Sequence, residues 1–140
     1  MTRLRVRSQR YLPGFLWYTL QVRGQLRRSP GFLGGMVSTS AGFTFWTTTA
    51  WIDEASMKHF RDTDWHKPAM RKLLDWCDEA SLVRWTQDGV DLPDPAAMLA
   101  QLRSRGRTSK VRYPTPEHTA GQTAPDGRPP RAGGVIRPRP

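Results

Sequence analysis

What the sequence has little of narrows it first. It carries one cysteine, Cys77, which excludes an internal disulfide and a cysteine-based zinc site. It has no apolar run long enough to span a bilayer. LPGFLWYTLQV (12–22) is too short, and the opening MTRLRVRSQRY is too charged for a secretory leader. We therefore expect a soluble, cytoplasmic chain. Acids are missing from residues 1–30, which hold seven arginines, and scarce in 103–140, where nine Lys/Arg face two Asp/Glu. The middle, 31–102, is the reverse, with ten acids against six Lys/Arg. The net charge of +10 thus sits at the two ends. Basic ends can hold phosphate backbones or anionic bilayers; we read them as solubility and arginine-rich codon usage, with no nucleic-acid partner. GFLGG (31–35) lacks the helix start and lysine of a phosphate loop. No nucleophilic triad appears. The three histidines, His59, His66 and His118, join no carboxylate in a metal-binding spacing, so no metal site is expected.

Aliphatic residues nearly vanish after about Arg105. The segment GRTSKVRYPTPEHTAGQTAPDGRPPRAGGVIRPRP (106–140) has too little apolar surface to offset its ordering entropy. The expected organisation is one domain over residues 1–105 and a basic, Pro/Gly-rich, disordered tail over 106–140.

What is present reads as alternating strands and helices. Arg3 to Ser8 alternates, Leu4 and Val6 against Arg3, Arg5 and Arg7, which is the pattern of a half-buried strand. In mid-sheet those arginines would need carboxylates, a ligand anion or water. Pro13 suits a first helical turn, and Phe15, Tyr18, Val22 and Leu26 then recur at helical spacing up to Ser29-Pro30-Gly31. Gly31–Ser40 and Phe43–Ile52 form a hairpin across Ala41-Gly42. Asp53 caps a helix, the pattern breaks at Asp62-Thr63-Asp64, and Pro68 restarts it with Met70, Leu73, Leu74 and Cys77 on one face. A fourth strand is expected over Ala80–Thr86 and a last helix over Ala96–Arg105.

The order is βαββαβ with a split second helix, the α+β, ferredoxin-like plan of an antiparallel sheet with helices on one face. The third strand is bulky on both sides, with Trp46 on one and Phe45 and Trp51 on the other. Burial of both sides implies a homodimer joined through sheet faces.

The stretch FWTTTAWIDEASMKHFRDTDWHKPAM, with FLGG before it and DWCDEASLVRWTQD after it, resembles the strand–helix core of the antibiotic-biosynthesis-monooxygenase-like dimeric α+β barrel superfamily. The closer likeness is to an uncharacterised branch related to spheroidene monooxygenase-like proteins, over residues 3 to 105. Its members include cofactor-free oxygenases of polycyclic aromatics and haem-degrading enzymes. The resemblance implies a monooxygenase-like protein that oxidises a hydrophobic aromatic or polyene molecule between sheet and helices. It leaves the cofactor as none or haem. Haem-degrading members place a Trp nine positions beyond the strand-ending Trp and a haem-ligating His ten further on. Counting from Trp51 reaches Phe60 and then Met70, so that mechanism is not carried over. A haem-binding protein of the same fold and a non-catalytic ligand-binding module remain as alternatives.

The candidate site follows. His66, between Trp65 and the Pro68 helix start, reads as a general base or haem ligand, or else as a histidine packed at the helix entrance. Arg84, alternating with Leu82, reads as a second catalytic group or an exposed cation. Trp17, Tyr18, Trp46, Trp51, Phe60 and Trp85 are the candidates for shaping a flat apolar pocket, against the plainer role of core. Cys77 falls on an apolar stripe as an inert thiol, and His59 beside Lys58 reads as surface.

Overall fold

The computed structural model describes residues 1–140. The strands are β1 (Thr2–Val6), β2 (Phe32–Ser40), β3 (Thr44–Trp51), β4 (Cys77–Leu82), β5 (Arg107–Thr108) and β6 (Gly134–Ile136). The helices are α1 (Leu12–Arg28), α2 (Glu54–Asp62), α3 (His66–Trp76), α4 (Pro95–Arg105) and α5 (Pro116–Thr119). The six strands make one antiparallel sheet in the order β5-β4-β1-β3-β2-β6. α1 connects β1 to β2, with β3 lying between those two strands. α2 and α3 connect β3 to β4, with β1 lying between them.

Local chemistry accounts for the breaks between elements. Asp53 Oδ1 accepts a hydrogen bond from the Ser56 amide at 2.7 Å and starts α2. Gly31 leaves α1 at φ 77°, and a Cβ there would lie 2.5 Å from Ser56 Oγ, so only glycine fits the turn beneath α2. α3 begins at His66 rather than at Pro68; Pro68 occupies its first turn, where a missing N–H costs nothing.

β1 is a central strand, and its arginines find the carboxylates that position demands. Arg3 reaches Glu79 at 2.7 Å and Asp126 at 3.4 Å; Arg5 grips Asp78 through two bonds of 2.9 Å and lies 3.2 Å from Glu79. These pairs explain a difference from the expected fourth strand. Asp78 and Glu79 are poor strand formers, so the strand was expected over Ala80–Thr86. It runs instead over Cys77–Leu82: Glu79 stands in register opposite Arg5, and Asp78, at the irregularity between Glu79 and Cys77, is held by the Arg5 side chain. Arg84 and Trp85 lie past its end.

The sheet carries two different layers. One face packs under α1, α2 and α3, through Val6, Phe15 and Ala80 at one end and Leu26, Phe32 and Phe60 at the other. The opposite face carries Trp46, fully buried against Met98 and Leu102 of α4, with Val83 and Ala124 beside them. Trp46 Nε1 donates to Ser40 Oγ at 3.1 Å.

The tail reading is corrected here. Residues 106–140 pack along the sheet. β5 pairs with β4, β6 pairs with β2, and Val111, His118, Ala124 and Ile136 are buried. Composition missed this because the sheet supplies the apolar surface that the segment lacks. Backbone hydrogen bonds to the sheet (Ser109 to Ala80, Arg131 to Thr39) and to α3 (Arg112 to Leu74) hold the segment between few apolar anchors. The same segment removes the reason for inferring a homodimer. β3 is buried on both sides, but its second cover is α4 and the C-terminal segment of the same chain. No helix is long and apolar enough to cross a membrane.

Candidate functional site

Between the helix layer and the sheet lies a cavity of about 180 Å³. Its floor is β1 and β3, where strand alternation turns Leu4, Phe45, Thr47 and Thr49 to the same side. Its roof is the sheet-facing stripe of α1, Phe15, Thr19, Val22 and Leu26, with Tyr18 beside it. α3 closes one wall with His66, Ala69, Met70 and Leu73, and Ile136 of β6 reaches in from the sheet edge. Exposed Arg23 and partly exposed Met70 mark where this lining meets solvent. The lining is mostly apolar with a few hydroxyls, one imidazole and one cation, the composition of a small-molecule site.

His66 is held firmly. Its amide donates to Gln25 Oε1 at 3.0 Å, while buried Gln25 donates through Nε2 to the carbonyls of Phe60 (3.1 Å) and Thr63 (3.2 Å). This one glutamine ties α1 to the α2–α3 junction. The imidazole rests against Phe60, centroids 4.7 Å apart, which in turn packs on Trp51 at 5.2 Å. Nδ1 lies 3.0 Å from the Arg61 carbonyl oxygen. A carbonyl only accepts, so Nδ1 carries the proton and Nε2 is left with its lone pair. Burial lowers the His66 pKa below the ordinary imidazole value, outweighing the upward push of the Arg61 carbonyl. His66 is therefore a neutral imidazole at neutral pH, with a fixed tautomer, on the wall of an apolar cavity.

The other candidate residues separate into three places. Tyr18 and Phe60 line the cavity with His66. Trp51 stands behind Phe60 and donates from Nε1 to Thr49 Oγ1 at 3.0 Å, so it buttresses the site rather than lining it. Trp46 belongs to the core on the opposite face, and Trp85 packs at the edge of that core, bonded to Gln87. The structure thus takes both out of the pocket. Trp17 is 47% exposed on the outer side of α1. Arg84 is exposed beyond the end of β4 and is not part of the cavity. Alternation with Leu82 failed to orient it because the strand stops at Leu82.

Thr19, Arg23, Thr47, Thr49 and Ile136 were not picked out from the sequence. Alternation along Phe45–Trp51 already places Thr47 and Thr49 on the Phe45 side, and that was a usable signal. Ile136 gave none, since nothing local announces that a three-residue strand will join the sheet. Cys77 is fully buried, and burial, aided by the Asp78 charge, pushes its thiol up to about 12, so it is inert. His118 is buried with Nε2 3.1 Å from the Ala80 carbonyl oxygen, on a structural contact away from the cavity. No group of three or more His, Cys, Asp or Glu side chains is arranged to hold a metal ion.

Searches against protein-family models, curated proteins and solved structures matched nothing.

Proposed function

We propose that the chain is a small monooxygenase-like protein that binds a hydrophobic aromatic molecule in this cavity and uses His66 as its base. The observation that carries the reading is the neutral, tautomer-fixed His66 on an apolar wall, with Nε2 left as a proton acceptor. The interleaved order β4-β1-β3-β2 supports the ferredoxin-like assignment, and with it the resemblance noted for residues 3 to 105.

Size selects among ligands. A dry cavity of roughly 150 Å³ holds one benzene ring, whereas pockets for drug-sized ligands and cofactors span roughly 300–1,000 Å³. At about 180 Å³, the cavity suits a single-ring phenol or a similarly compact enol. A polyene or a haem macrocycle is larger than this space, so the proposal takes the single-ring ligand and routes no step through haem.

In the proposed reaction His66 Nε2 takes the phenolic proton, and the electron-rich phenolate ring reacts with dioxygen. One oxygen atom enters the ring to give a quinone, and the other leaves as water with the two hydrogens lost from the ring carbon and the hydroxyl. The apolar lining keeps bulk water from the carbanionic ring, and the hydroxyls of Tyr18 and Thr47 are the available donors to the phenolate oxygen.

The test is aerobic incubation with a panel of single-ring phenols, following quinone absorbance and oxygen uptake. Expected is turnover that falls at least about a hundredfold in His66→Gln. Binding without turnover would leave a ligand-binding module in place of the enzyme. Neither binding nor turnover across the panel would remove the proposal. Added haemin is expected to give no Soret band that depends on His66.

A further inference from the structure

α1 carries an exposed apolar stripe that the core does not use. Pro13, Leu16, Trp17 and Leu20 follow one another at helical spacing on its outer side. Leu16 is 48% exposed and Leu20 64%. Across the groove to α3, Trp65 is 39% exposed and meets Trp17 edge-on at 5.2 Å, so the two indoles form one patch. Trp65 also approaches Tyr18 of the cavity lining at 6.4 Å, which sets the patch beside the site.

The charge around this patch has one sign. Arg23 and Arg28 of α1 and Lys67, Arg71 and Lys72 of α3 are exposed, and no ion pair involves any of them. α1 contains no acid at all, and the one acid of α3, Asp75, is bound to Arg112. Two exposed acids lie near, Asp62 at the end of α2, which is paired with Arg61, and Asp64 in the turn before α3. Tryptophan and leucine flanked by unpaired cations match the interfacial zone of an anionic bilayer, where indoles sit at headgroup level and cations meet lipid phosphates and carboxylates. A second copy fits poorly, since a two-fold contact would set these five cations against their equivalents.

We infer that the outer face of α1 and α3 docks on an anionic lipid bilayer, with Trp17, Leu20 and Trp65 entering the headgroup region and the α1 and α3 cations holding lipid charge. The docking does not depend on the identity of the cavity ligand. It would place the site beside the phase in which hydrophobic molecules concentrate.

The test is co-sedimentation of the full chain with vesicles of phosphatidylcholine alone and of phosphatidylcholine mixed with phosphatidylserine, at low and high salt. Tryptophan quenching by brominated lipid is read in parallel. Expected is binding to the phosphatidylserine vesicles only, weakened by salt, with quenching reduced in Trp17→Ser. Each of Arg23→Gln and Arg71→Gln should weaken binding about fivefold, and Leu20→Glu should abolish it. Arg131→Gln, in the C-terminal segment, should leave it unchanged. These residues are exposed, so circular dichroism should show folded variants. No binding to phosphatidylserine vesicles, or binding that survives Leu20→Glu, overturns the inference. So does a vesicle-free dimer that Leu20→Glu dissociates, because a second copy would then occupy the face.

Discussion

The two faces of the sheet solve opposite problems. On the face under α1, α2 and α3 the chain leaves about 180 Å³ unfilled and fixes a neutral imidazole at its wall. On the opposite face it spends its C-terminal third covering Trp46 and enclosing charged side chains, Arg3 and Glu79, whose exposures are 1% and 3%. A cavity costs packing energy, and a buried ion pair is at best close to neutral against an apolar substitute. Only the cavity has a use that solvent-accessible chemistry can explain. The ion pairs act on register: they set β4 against β1, and β4 follows directly on α3, the helix that carries His66. The charged face thus positions the apolar one.

Breaking that division should show first on the charged face. Glu79→Leu leaves Arg3 buried with only the longer contact to Asp126, and a loss of about 3–5 kcal/mol is expected by urea denaturation. The double variant Arg3→Met/Glu79→Leu should recover most of it, since the charges that lose a partner, Asp126 and Arg5, are partly exposed and Arg5 keeps Asp78. If the single and double variants are equally unstable, the pair does more than cancel its own desolvation.

Next is Ile136→Ala, at the meeting of the C-terminal segment and the cavity. It is expected to cost about 2–5 kcal/mol in the same measurement and to admit larger phenols than the parent protein. A loss near zero would mean that β6 does not hold the sheet edge.

His66 gives the helix face a pH signature. In the unfolded chain it takes a proton near 6.5, while in the folded chain burial holds its pKa lower. Its contribution to stability is therefore complete above about 6.5 and is lost as pH falls through the folded value. Denaturation midpoints from neutral pH downward should fall less steeply in His66→Gln. An unchanged slope would place the folded His66 pKa at its ordinary value. The smallest effect is expected for Asp53→Ala, which removes the α2 cap and should lower the thermal-unfolding midpoint only slightly.

The helix face was largely legible in the sequence. The spacing of Phe15, Tyr18, Val22 and Leu26, the alternation of β3 and the Asp53 cap are local patterns, and they placed α1, β2, β3 and α2 nearly to the residue. They brought Tyr18, Phe60 and His66 to one site. The charged face was not legible, because its determinants are long-range. Arg3 finds Glu79 and Asp126 far along the chain, and the latter sits in a segment whose composition reads as disordered. Alternation sets Trp46 and Trp51, five residues apart, on opposite sides of β3, but which side holds the cavity is decided by the layer that covers each, and that layer is not local in sequence. Arg84 failed for the same reason: strand alternation says nothing once pairing stops.

The most direct test of the account is a long-range proton–nitrogen spectrum of the His66 imidazole, recorded free and with a single-ring phenol added. The account expects at neutral pH a protonated Nδ1 and an unprotonated Nε2, with the Nε2 resonance moving saturably at one phenol per chain. A proton on Nε2, or a resonance that no phenol moves, would contradict it.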